Sequence, residues 1–224
     1  MMHTLERRIV DFAELSRSAR PGGDWGDLQP RFFECKETDV QFFFLDLPRE
    51  YVFVFPGTDP RSAKDWTTNF MFAKRVIPYG NQNSKIRVHR GFLRGYKSVR
   101  KKVHGCVRNY VTENKPIVVV GHSQGGAFSF LGAVDIQWNM REGDLQERRR
   151  EVYAITFGAP RVGNKAFRNS YVVRVKRTWR YAGAFDVVTR VPFAWLGFRH
   201  VGQLVRLACR HDIRKYIREL KKKR

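Results

Sequence analysis

Four aliphatic residues, Ile117-Val118-Val119-Val120, run into Gly121-His122-Ser123-Gln124-Gly125, and a largely apolar stretch continues to Met140. A short aliphatic run after Lys115-Pro116 suits a strand buried on both faces. Gln124–Met140 has the length of a packed helix and opens on small residues, Gly125, Gly126 and Ala127. A strand that turns sharply into a helix brings two backbone segments almost into contact, which glycines two residues either side of the apex permit. Ser123 at that apex would project its Oγ above the sheet. The Gln124 N–H would lie at the helix start, where the macrodipole favours developing negative charge. The plain alternative is a strand-to-helix turn that holds an ordinary serine.

The remaining pattern extends this unit into an α/β sheet covered on both faces. A short amphipathic helix is expected near Val10–Ala19, then a loop through Pro21-Gly22-Gly23 and Pro30. Gln41–Leu47 and Tyr51–Phe55 read as two strands joined tightly across Pro48-Arg49-Glu50. Over 92–111, Phe92, Tyr96, Val99, Val103, Val107 and Tyr110 recur at three- and four-residue intervals, giving one apolar helix face. After the charged loop Arg141–Glu151, strands are predicted at Val152–Phe157 and Tyr171–Tyr181, and a last helix at Asp212–Leu220. This makes one domain over 41–220, preceded by a helix-and-loop extension over 1–40 and followed by a basic tail, 221–224.

The 224 residues are 42% hydrophobic and carry a formal charge of +22. That composition excludes a disordered chain, and no apolar run approaches the roughly 18 residues of a membrane span. No signal-peptide pattern opens the sequence and Cys35, Cys106 and Cys209 have no metal-ligand spacing, so a cytoplasmic protein with reduced thiols, peripheral on membranes, is expected. Acidic residues are missing from Trp66 to Thr112 and again from Val152 to Phe185. Such a surface attracts anionic partners, and charge alone does not choose between nucleic acid, acidic membrane and a solvated basic face.

A reactive serine needs a base, and the base an orienting carboxylate, in the chain order Ser, acid, His for this topology. Asp135 falls inside the helix after Ser123, and Glu142, Asp144 and Glu147 in its trailing loop. Asp186 follows a strand through Ala182-Gly183-Ala184, where a loop at a sheet edge belongs, and is the chosen acid. Asp212 adjoins His211 and is poorly placed to hold the far side of its ring. His200 and His211 are the downstream imidazoles, and spacing leaves both open, with His211 favoured by its loop before the last helix.

Five blocks in this order resemble the class 3 lipases, an α/β-hydrolase family. They are Phe55-Pro56-Gly57-Thr58, Val88-His89-Arg90-Gly91-Phe92, Gly121–Gly125, Thr156–Asn164 and Asp186–Pro192. Two histidine segments follow, Phe198–Gly202 and His211–Tyr216. The resemblance implies a central, mostly parallel sheet flanked by helices, a triad of Ser123, Asp186 and His211, and Thr58 as oxyanion donor beside Gln124. It implies lipid ester hydrolysis with no metal or cofactor, at an anionic membrane or lipid-droplet surface. Two positions depart from the family, Pro56 for its usual arginine and Phe185 for its usual asparagine. By the same resemblance 59–72, with Trp66, Phe70 and Phe72, would occupy the place of a lid or simply pack in the core. The alternatives are a carboxylesterase for soluble esters and a non-catalytic basic binder of membrane or nucleic acid. The latter is disfavoured because a spent scaffold need not keep Ser, Asp and His in order.

Overall fold

A computed structural model of the chain describes residues 8–57, the backbone of 76–78, and 84–223. Its main sheet has seven strands in the order β1-β2-β3-β6-β7-β9-β11. These are β1 (Arg31–Cys35), β2 (Val40–Asp46), β3 (Tyr51–Phe55), β6 (Ile117–His122), β7 (Val152–Phe157), β9 (Arg177–Gly183) and β11 (Gln203–Leu207). The first three form an antiparallel meander, and from β3 onward every neighbour is parallel. A small antiparallel sheet lies beside it, formed by β4 (Val76–Pro78), β5 (Arg87–His89), β8 (Gly163–Asn164) and β10 (Phe198–Arg199).

Helices cover both faces of the main sheet, so its central strands alternate between two apolar layers. Phe53, Phe55, Val119 and Ala154 pack with α2 (Arg90–Tyr110) and α3 (Gln124–Glu142). Val52, Val54, Val118, Val120 and Ile155 face the other way, against α1 (Ile9–Ser18) and α5 (Ile213–Lys221). Burial on both sides explains why these strands read as unbroken apolar runs. Fully burying one such side chain stabilises the fold by about 1.5–3 kcal/mol.

Two differences from the sequence reading have clear causes. The strand predicted over Tyr171–Tyr181 is in fact the end of α4 (Lys165–Arg174) followed by β9. Asn164 caps α4, its side chain accepting from the Phe167 N–H at 2.9 Å, and Phe167 and Tyr171 bury one face of the helix. A cap and tertiary burial thus override the β-propensity of Val172 and Val173. The first 40 residues do not merely precede the domain. Phe12 and Ala13 of α1 lie in the core, and β1 pairs with β2 from Arg31 opposite Phe44 to Cys35 opposite Val40.

The fold also holds two neutral histidines. His89 caps α2, its Nδ1 accepting from the Phe92 N–H at 3.4 Å, and burial lowers it from 6.5 to about 4. His200 Nε2 lies 2.7 Å from the Thr189 carbonyl. Burial, then the charges of Arg180 and Arg161, lower it to about 3. In both cases the unfolded chain binds protons more readily than the folded one. Their contribution is complete above the ordinary value of 6.5 and is lost as pH falls towards 4 and 3. Each should cost about 2.5 kcal/mol by pH 4.5. Urea midpoints at pH 7 and 4.5 check this, and a His200→Gln variant should show a shallower decline.

Candidate active site

The site forms where β3, β6, β7, β9 and β11 end, since the loops leaving parallel strands open onto one edge of the sheet. Ser123 stands between β6 and α3 with φ 55° and ψ −126°, a strained left-handed backbone for a residue bearing a Cβ. Its N–H donates to the Phe157 carbonyl at 2.9 Å, which ties the apex to β7. The flanking glycines are sterically required. A Cβ on Gly125 would sit 2.1 Å from the Phe55 carbonyl oxygen, and one on Gly121 would sit 2.4 Å from Gly125 backbone atoms.

Three predicted residues meet here. His211 Nε2 lies 2.8 Å from Ser123 Oγ, and its Nδ1 lies 2.8 Å from Asp186 Oδ2. Asp186 is wholly buried. Its Oδ1 accepts from the Val188 N–H at 2.9 Å, and Oδ2 also accepts from the Tyr216 hydroxyl at 2.6 Å. Because Oδ2 is an acceptor, Nδ1 carries the imidazole proton, and the Nε2 lone pair is aimed at the serine hydroxyl. Gln124 opens α3, so its backbone lies beside Ser123 at the positive end of that helix. Thr58 and the segment 59–72 fall outside the described residues.

The rejected candidates have other duties. His200 holds the Thr189 carbonyl in the short helical turn after Asp186. Asp212 caps α5, accepting from the Arg214 N–H at 2.9 Å. Asp135 is buried among Tyr96, Arg100 and His104, with Tyr96 Oη at 2.7 Å and His104 Nε2 at 2.7 Å. Burial opposes ionisation of Asp135, but the hydrogen bonds from His104 and Arg100 outweigh it and leave its carboxyl below the usual range.

Two supporting residues were assigned no such role from sequence. His122 stacks on His211 with ring centroids 4.8 Å apart and planes at 24°. Burial first, then His211, pushes His122 well below 6.5, so it stays neutral and walls one face of the His211 ring. Tyr216 accepts from the Gly183 N–H at 2.7 Å while donating to Asp186, which links α5 to the end of β9. Its only sequence signal is its position five residues after His211. A Tyr216→Phe variant leaves that buried N–H unpaired and should cost about 1–3 kcal/mol. An unchanged urea midpoint would contradict this.

A parallel sheet ending in a left-handed serine, with an imidazole and a carboxylate converging on it, defines an α/β-hydrolase fold. The lipase (class 3) family profile matches residues 52–195, more than half of the chain, and the chain belongs to that family. It is 32% identical over 161 residues to a lipase of Rhizomucor miehei, covering 70% of this chain and 42% of that one. It is 30% identical over 159 residues to a chloroplastic phospholipase A(1) of Arabidopsis thaliana, covering 64% and 34% respectively. The chain thus spans less than half the length of these two relatives. The solved propeptide complex of Rhizomucor miehei lipase superposes with a TM-score of 0.74 at 26% identity, covering 91% of this chain and 68% of that one.

Proposed function

We propose that this chain is a serine hydrolase that cleaves carboxylic esters of lipids through an acyl-enzyme. The observation that carries the reading is His211, bridging Ser123 Oγ and Asp186 Oδ2 at 2.8 Å on each side. Nε2 takes the Ser123 proton as Oγ attacks the ester carbonyl, and Asp186 stabilises the imidazolium that results. The negative charge forming on the carbonyl oxygen is met by the Gln124 N–H at the α3 terminus, with Thr58 as the second donor. The imidazolium then protonates the departing alcohol, and water repeats the sequence on the acyl-enzyme. All bonds made and broken are accounted for by these side chains and water.

A lipid ester is the substrate class that fits relatives named lipase and phospholipase A(1). The charge of +22 supports action at an anionic surface, where each nearby Lys or Arg adds about 1 kcal/mol. A fluorophosphonate probe should label the parent protein at Ser123 and leave a Ser123→Ala protein unlabelled. Rates on a lipid ester should rise as substrate passes from monomers to micelles. A flat rate across that change would favour a soluble-ester carboxylesterase. Raising salt should weaken binding to acidic vesicles and leave neutral ones unaffected.

A further inference from the structure

From Val152 to His211 the sequence holds eleven lysines and arginines and a single acid, Asp186. That acid is fully buried, committed to His211 and Tyr216. Every other charged side chain in this stretch is therefore cationic. The segment 184–197 lies within it and carries Asp186 towards the serine. Three of its large apolar residues are exposed, Phe185 by 68%, Val187 by 64% and Trp195 by 79%. Trp195 also stacks on half-buried Phe193, with centroids 5.8 Å apart and planes at 12°. One exposed apolar residue is ordinary, but three on the short segment that also carries Asp186 mark a contact surface.

Arginine side chains brace this segment through its carbonyls. Arg161 Nη1 donates to the Pro192 carbonyl at 3.0 Å, and Arg190 Nη2 to that of Ala184 at 3.0 Å. Arg199 Nη1 donates to the Ala194 carbonyl at 2.7 Å. The aromatic rings are thus carried on a held backbone, and the exposed Arg190 and Arg199 each have further guanidinium N–H groups besides those that donate to carbonyls. Aromatic side chains favour the membrane–water boundary, and guanidinium groups bind phosphate.

We propose that segment 184–197 docks the reactive face on an anionic phospholipid membrane, Trp195 and Phe193 entering the headgroup region while Arg190 and Arg199 meet lipid phosphates. The inference rests on the lipid-ester reading for its purpose. It can fail separately, because docking needs no nucleophile. The test uses the full chain with Ser123→Ala, sedimented with phosphatidylcholine vesicles that contain or lack phosphatidylserine. The expected result is binding that requires phosphatidylserine and falls about tenfold on adding Trp195→Ala. Val173→Ala, at a residue 66% exposed on α4, should leave binding unchanged. Undiminished binding of the Trp195→Ala protein would overturn the proposal, as would an equal loss with Val173→Ala. So would equal binding to vesicles lacking phosphatidylserine. Binding to duplex DNA without vesicle binding would overturn it in favour of a nucleic-acid partner. Loss of fluorophosphonate labelling in the parent, by contrast, would count only against the hydrolase reading.

Discussion

Replacing Ser123 by alanine is expected to lower kcat on a lipid ester by about 10⁴–10⁶-fold with the fold intact. Both halves of that expectation follow from the local geometry. The backbone bond from the Ser123 N–H to Phe157 survives the change, and alanine meets the left-handed φ of 55° no worse than serine does. What disappears is the hydroxyl oxygen that lies 2.8 Å from His211 Nε2. No acyl-enzyme can then form, and any residual rate comes from substrate binding and the helix terminus. Circular dichroism and a urea titration establish that the variant is folded, and steady-state kinetics gives the loss. A folded variant with more than a small fraction of parental kcat would remove Ser123 from the mechanism.

The Asp186→Asn variant should lose about 10⁴-fold in kcat, by a different route. Asp186 Oδ2 accepts from both His211 Nδ1 and the Tyr216 hydroxyl, and Oδ1 accepts from the Val188 N–H. An amide cannot accept at both ends. If its NH₂ group faces His211, then Nδ1 must accept, the ring proton moves to Nε2, and the base presents a proton where it needs a lone pair. If the NH₂ group faces Val188 instead, two donors collide and the turn over Val188–Arg190 has to shift, carrying the carboxamide with it. Either outcome disarms the imidazole, and both keep Ser123 in place. Kinetics together with fluorophosphonate labelling should therefore show a slow but measurable reaction at Ser123. Activity within tenfold of the parent would mean that another group orients the base.

Legibility in the sequence followed burial. Strands β3, β6 and β7 are buried on both faces, so their composition is nearly independent of what packs on them and their runs are unmistakable. α2 was equally plain, because its apolar positions all face one layer. α4 was not, because Val172 and Val173 favour strands and only the Asn164 cap and the buried Phe167 and Tyr171 make that stretch helical. β1 went unread for a related reason. Its residues are half-buried or exposed at the sheet edge, and pairing with β2 rather than an internal pattern makes it a strand. Strands of two or three residues, such as β8 and β10, leave no periodicity to detect.

For the site, sequence alone determined the turn and the residue types: close backbone approach admits only glycine at 121 and 125, and that constraint is local. It determined the order of serine, acid and histidine as well, because chain order follows from strand order. It left His200 and His211 unresolved by spacing. The family resemblance implies His211, but only the tertiary structure supplies the physical reason, since which imidazole reaches Ser123 depends on how β9, β11 and α5 stack, and those contacts join residues 88 and 25 positions apart. The same is true of Tyr216 and His122, whose partners are neighbours in space and distant or unremarkable along the chain.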